Sequence, residues 1–314
     1  MVTVRCTGRS FRLVPTRQVV ETITYCFAAA LAKYDIRVHE FCFLSNHYHL
    51  VLTPLGEDLP AFIQDLNSIL SRALNALRGW SGSNFEKGYN IVVEQDEESI
   101  VAHCAYTLAN PCAADLVSRI RHWRGLHSWN MEYGDSLTAK RPRFGLWTPV
   151  PVPPSRRKKR RRRPWDRTRA RFRGRFVTPD AATIELTRPP AHEGTLRDPE
   201  VRELVRGLAL EREEAAEAER AEEGRKAMGM KRVRAQDWAA MPRSKEDMFG
   251  PEPKDAAANR WAIEEAKQRR REFVQEYRAC LEAWLGGHRE VVFPAGTYLM
   301  RRRFNVAVAN APPG

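Results

Sequence analysis

No stretch of this 314-residue chain approaches the roughly eighteen consecutive apolar residues that a bilayer-crossing helix needs. The six cysteines (Cys6, Cys26, Cys42, Cys104, Cys112 and Cys280) form no C-x-x-C pair. That spacing excludes a paired-cysteine zinc cluster and a disulfide framework, and fits small buried side chains in a reducing compartment. A basic-then-apolar signal pattern is missing from the start of the chain, and no internal repeat occurs. There is no G-x-x-x-x-G-K-S/T loop, which excludes a P-loop motor. A soluble, cytoplasmic protein without a membrane partner is expected. Acidic residues are also in deficit: 39 Asp+Glu against 52 Lys+Arg leave a formal net charge of +13. An excess of this size points to a polyanionic partner, nucleic acid first among them.

Val2 to Cys6 is a short β-branched run closed by Gly8, a first strand. Thr16 can cap a helix carrying Val20, Ile23, Phe27, Leu31 and Tyr34 at helical spacing. Residues 36–44 and 46–53 read as the two arms of an antiparallel hairpin. A second helix from about Asp58 carries a broad apolar stripe and stops at Gly79. Residues 89–93 read as a fourth strand. Asp96-Glu97-Glu98 then open a third helix, expected to run to about Asn110 and to be limited by Pro111. This βαββαβ order with one more helix predicts an α+β fold. Its core would be a ferredoxin-like antiparallel sheet with two helices on one face, the other face being left for function and for the third helix.

Three segments are expected: a catalytic domain over residues 1–128, a basic Pro/Arg-rich linker over 129–190, and a mostly helical extension over 191–314. In the extension, a Glu/Arg-dense helix from Asp198-Pro199 reads as exposed. A second helix from about Asp255 is stopped by Gly286-Gly287, and Val291-Val292-Phe293 reads as a short strand.

Chemistry concentrates in two places. In Ser45-Asn46-His47-Tyr48-His49-Leu50, strand alternation puts His47 and His49 on one face and Tyr48 on the other. Two imidazoles on a rigid strand begin a divalent metal site without completing it. On the third helix, Tyr106 and Asn110 lie four residues apart and project together. If that helix docks beside the histidines, the Asn110 amide is a candidate third ligand and the Tyr106 phenol a candidate nucleophile for a phosphodiester.

The stretches Ser-Asn-His-Tyr-His-Leu-Val-Leu and Tyr-Thr-Leu-Ala-Asn-Pro-Cys-Ala-Ala-Asp-Leu-Val resemble the REP-associated branch of the single-strand tyrosine transposases, in the HUH endonuclease superfamily. The likeness covers about the first 125 residues. It implies His47, His49 and Asn110 as ligands of Mg²⁺ or Mn²⁺ and Tyr106 as the nucleophile. It also implies cleavage and rejoining of single-stranded DNA near hairpins or palindromic repeats through a 5′-phosphotyrosine, in a bacterial, nucleoid-associated protein. Thr7-Gly8-Arg9-Ser10 loosely matches the family's N-terminal loop, departing at Ser10, and makes Arg5 and Arg9 candidate DNA contacts. Ser45 stands where the family usually has proline.

Alone, each of these residues has a plainer reading: half-buried histidines, a packed tyrosine, an asparagine at a helix stop. His103 reads as solvated, His39 as structural, and Tyr89 as a lesser alternative nucleophile. The basic run beginning Arg156, Arg157, Lys158, Lys159 and Arg160 reads as a solvated segment that adds sequence-independent affinity for nucleic acid. A catalytically silent hairpin-binding protein, or a replication initiator or relaxase of the same superfamily, stays open on the sequence. So does a homodimer in which Tyr106 serves a partner's sheet.

Overall fold

A computed structural model describes residues 1–143, 179–242 and 254–309. Strands β1 (Val2–Arg5), β2 (Ile36–Phe43), β3 (His47–Pro54) and β4 (Asn90–Ile91) form one antiparallel sheet in the order β2-β3-β1-β4. The fold is mixed α+β, with seven α-helices among the described residues. None of the described helices is long and apolar enough to cross a membrane.

One face of the sheet is covered by α1 (Arg17–Leu31) and α2 (Leu59–Arg78). Thr16 caps α1 by accepting from the Val19 amide at 3.3 Å. Gly79 ends α2 in the left-handed conformation at φ 61°, where a Cβ would be strained. Between helices and sheet lies an aromatic core: Phe27 meets Phe41 at 5.5 Å, and Phe43 stacks on Tyr48 at 4.7 Å. Tyr48 and Leu50 point into this core from β3, each fully buried, and each contributes about 1.5–3 kcal/mol of apolar burial. The same alternation turns His47, His49 and Val51 to the opposite face.

That face is covered by α3 (Glu97–Ala113), whose Val101, Cys104 and Leu108 pack with Cys42, Leu44 and Val51. Asp96 caps α3 by accepting from the Ser99 amide at 2.8 Å, with Glu97 and Glu98 in the first turn. Pro111 does not limit the helix, which continues to Ala113. The last turn is held from outside, where Arg220 donates to the Cys112 carbonyl at 2.8 Å.

Four further expectations differ from the structure. Residues 89–93 are not one strand. After β4 the chain turns, and β5 (Val93–Glu94) pairs in parallel with a strand at Asp255–Ala256. Both ends of the expected linker carry structure: β6 (Ser136–Lys140) pairs with β7 (Ala181–Glu185), and Val38 of β2 bridges to Leu186 beyond them. The helix α4 (Asp198–Glu222) is not simply exposed, because Val201, Arg202, Val205, Ala209, Glu213 and Arg220 form a buried face against α3. Val291 to Phe293 forms no strand; Phe293 makes an isolated bridge to Val308.

Candidate active site

In the β1–β3 ladder, Arg5 lies opposite His47 and Thr3 opposite His49. The two imidazole rings stand 4.8 Å apart, nearly perpendicular. His47 Nδ1 lies 2.7 Å from Asn46 Oδ1. An amide oxygen only accepts, so Nδ1 carries the hydrogen and Nε2 keeps its lone pair. His49 Nδ1 lies 2.9 Å from Thr3 Oγ1, and its Nε2 lies 3.3 Å from Asn110 Nδ2. An amide nitrogen only donates, so Nε2 is again the lone-pair atom and Nδ1 donates to Thr3. Both rings thus have the tautomer of a ligand whose second nitrogen is anchored.

Electrostatics keep both rings neutral. Burial and the Arg5 guanidinium push the His47 pKa down to about 4. Burial, His47 and Arg5 push His49 well below the usual imidazole range. A neutral imidazole is the form that binds a cation. Asn110 is 5 % exposed and interacts with both rings. The Tyr106 ring stands edge-on to His49, centroids 5.5 Å apart. Helix spacing brings Tyr106 and Asn110 to the histidines together.

A cavity of about 660 Å³ opens on this side of the sheet, lined by Thr3, Arg5, His49, His103, Tyr106 and Arg212 among others. His47 and Asn110 are not among the lining residues and join it through His49. The chain matches no family model, no curated protein and no solved structure. What the site can do therefore rests on its own geometry.

Among the described residues no group of three His, Cys, Asp or Glu is placed to hold a metal. The donors available to a divalent cation are the two Nε2 lone pairs and the Asn110 amide, which fit one in type and number with water filling the rest. Arg9 sits in the turn Thr7–Arg9, in the left-handed region at φ 53°, and its charge reaches His47. Arg156, Arg157, Lys158, Lys159 and Arg160 lie outside the described residues.

His103 is not simply solvated: its Nδ1 lies 2.9 Å from a carboxylate oxygen of Glu94. Burial raises the Glu94 carboxyl, but the His103 hydrogen bond and the Met1 ammonium outweigh it and hold the group below its ordinary range. His39 is buried and bonded to Thr53 and the Thr187 carbonyl, a structural role. Sequence reasoning missed Thr3, Asn46, Glu94 and Arg212. Thr3 was within reach, since any register pairing β1 with β3 puts a β1 side chain beside His49.

Proposed function

We propose that this chain is a metal-dependent single-strand DNA transferase of the HUH tyrosine type, cleaving and rejoining DNA near hairpins or palindromic repeats. Its main support is that Tyr106 and Asn110 of α3 meet His49 of β3 within one chain, with the tyrosine on the wall of a basic cavity. The strand order, with two helices on one face, supports a ferredoxin-like reading of the sheet. The ring contact inside a single chain supports a tyrosine that serves its own sheet.

A divalent cation, Mg²⁺ or Mn²⁺, held by His47, His49 and Asn110 would polarise the scissile phosphate. Mixed nitrogen and oxygen donors favour Mn²⁺, and cellular abundance favours Mg²⁺. To offer oxygen, the Asn110 amide turns over, because Nδ2 is the atom now facing His49. Arg5, opposite His47, and Arg9 supply positive charge where the DNA backbone would run. The Tyr106 phenol attacks phosphorus in line, giving a 5′-phosphotyrosine and a free 3′-hydroxyl. The phosphotyrosine keeps the bond energy, so the 3′-hydroxyl of the same or another strand can reverse the step without an external energy source.

Tyr106→Phe should abolish the covalent protein–DNA adduct on a hairpin-bearing oligonucleotide with Mn²⁺ present, while hairpin binding stays nearly unchanged. An adduct that survives the substitution removes Tyr106 from the mechanism. A parent protein that forms no adduct on such oligonucleotides with either metal removes the transferase reading.

A further inference from the structure

The helix α4 carries four arginines, and three are paired. Arg202 pairs with Glu40, Arg206 with Glu132 at 2.6 Å, and Arg220 with Asp115 at 3.2 Å. Arg212 makes no ion pair or hydrogen bond among the described residues. Its guanidinium carbon stands 6.0 Å from the centre of the Tyr106 ring, and its side chain lines the cavity with His49 and Arg5.

The backbone beneath it is fixed. Glu213, the next residue, is 4 % exposed and accepts from the Ile120 amide at 2.5 Å and from Arg119 at 3.1 Å. The chain therefore anchors α4 on both sides of position 212, by Arg202 and Glu213, and leaves one unpaired cation over the tyrosine. Arg212 is itself exposed, yet its guanidinium lies near the ring of the nucleophile on the cavity wall, where it is placed for an incoming anion.

We propose that Arg212 is a catalytic residue: it donates to the non-bridging oxygens of the scissile phosphate and stabilises the charge that grows there as Tyr106 attacks. This rests on the transferase reading and gives the C-terminal segment a part in the reaction. In that step the Tyr106 oxygen–phosphorus bond forms as the phosphorus–O3′ bond breaks. The phenol loses its proton and the departing 3′-oxygen gains one, so the exchange is proton-neutral overall. The planar guanidinium fork can donate to two phosphate oxygens at once.

The test is single-turnover adduct formation by the full chain on a hairpin oligonucleotide with Mn²⁺. Arg212→Gln should slow the adduct rate about 100-fold, the usual range for losing one donor to a developing oxyanion. Arg212→Lys should fall between Gln and the parent. Oligonucleotide affinity and the unfolding midpoint should stay close to the parent's, which a merely structural role for Arg212 does not predict alongside a slowed rate. A parent that forms the adduct while Arg212→Gln matches its rate overturns this role and leaves the transferase reading standing. A slowed rate accompanied by an equal loss of affinity also overturns it, because Arg212 would then act in binding alone. A parent that forms no adduct overturns both.

Discussion

An imidazole binds a cation through one nitrogen only when the other holds the proton, and Thr3 and Asn46 make that choice for His49 and His47. Thr3 is the more informative of the two, because it comes from a different strand and depends on the β1–β3 register. Thr3→Val keeps the β-branched shape and removes only the hydroxyl, so the strand should persist. Anchoring partners of this kind are typically worth about 10- to 100-fold in metal affinity. Mn²⁺ titrated into the Thr3→Val protein, followed by calorimetry, should bind that much more weakly than in the parent. Unchanged affinity would mean that His49 is not a ligand, however well the Tyr106 geometry fits.

At the scale of elements, the docking of α4 on α3 decides whether Arg212 reaches the cavity at all. The same helix is tied to β2 by the Arg202–Glu40 pair, fully buried, with Ser128 and Tyr133 also bonded to the carboxylate. Burial raises the Glu40 carboxyl even against the pull of Arg202. Removing one partner leaves the other charge buried and uncompensated, at a cost of about 3–5 kcal/mol. Arg202→Met should lower the urea-unfolding stability by that amount, and adding Glu40→Leu should restore most of it. If Arg202→Met is as stable as the parent, this pair does not hold the helix. The docking was not legible in the sequence for a physical reason. Arg202, Glu213 and Arg220 read as a solvated charged face by periodicity, and their partners Glu40, Ile120 and Cys112 lie 162, 93 and 108 residues away. By contrast, the Thr16 cap, the acidic opening of α3 at Asp96-Glu97-Glu98, the stop at Gly79 and the H-x-H alternation are local signals, and each was readable. Pro111 misled because the local rule reads a proline as a stop, whereas α3 runs through it to Ala113.

For the whole molecule, the two-faced sheet has a consequence for acid stability. Placing α3 over the histidine face buries His49 and crowds His47, while His39 and His127 are enclosed at the β2 edge. Burial, before any other cause, lowers all four; His47 and His127 fall to about 4. In the unfolded chain these groups titrate near 6.5. Between about pH 6.5 and pH 4 the unfolded chain therefore takes up protons that the fold refuses, so stability falls as pH falls through that window, and His49, held well lower, carries the loss further. For His47 and His127, both partly exposed, about 2 kcal/mol each is a fair discounted magnitude. Glu94, whose carboxyl is held low by His103 and the Met1 ammonium, works in the same direction but only below its unfolded value of about 4.5. The histidine loss should thus come first, seen as an unfolding midpoint that drops steadily from pH 7 to pH 5 without metal. Saturating Mn²⁺ should steepen that drop, since the cation binds only deprotonated rings and stabilises the fold most at neutral pH. A midpoint that stays flat from pH 7 to pH 5 would show that the fold does not hold these rings neutral, and would overturn the reading that α3 desolvates the histidine face.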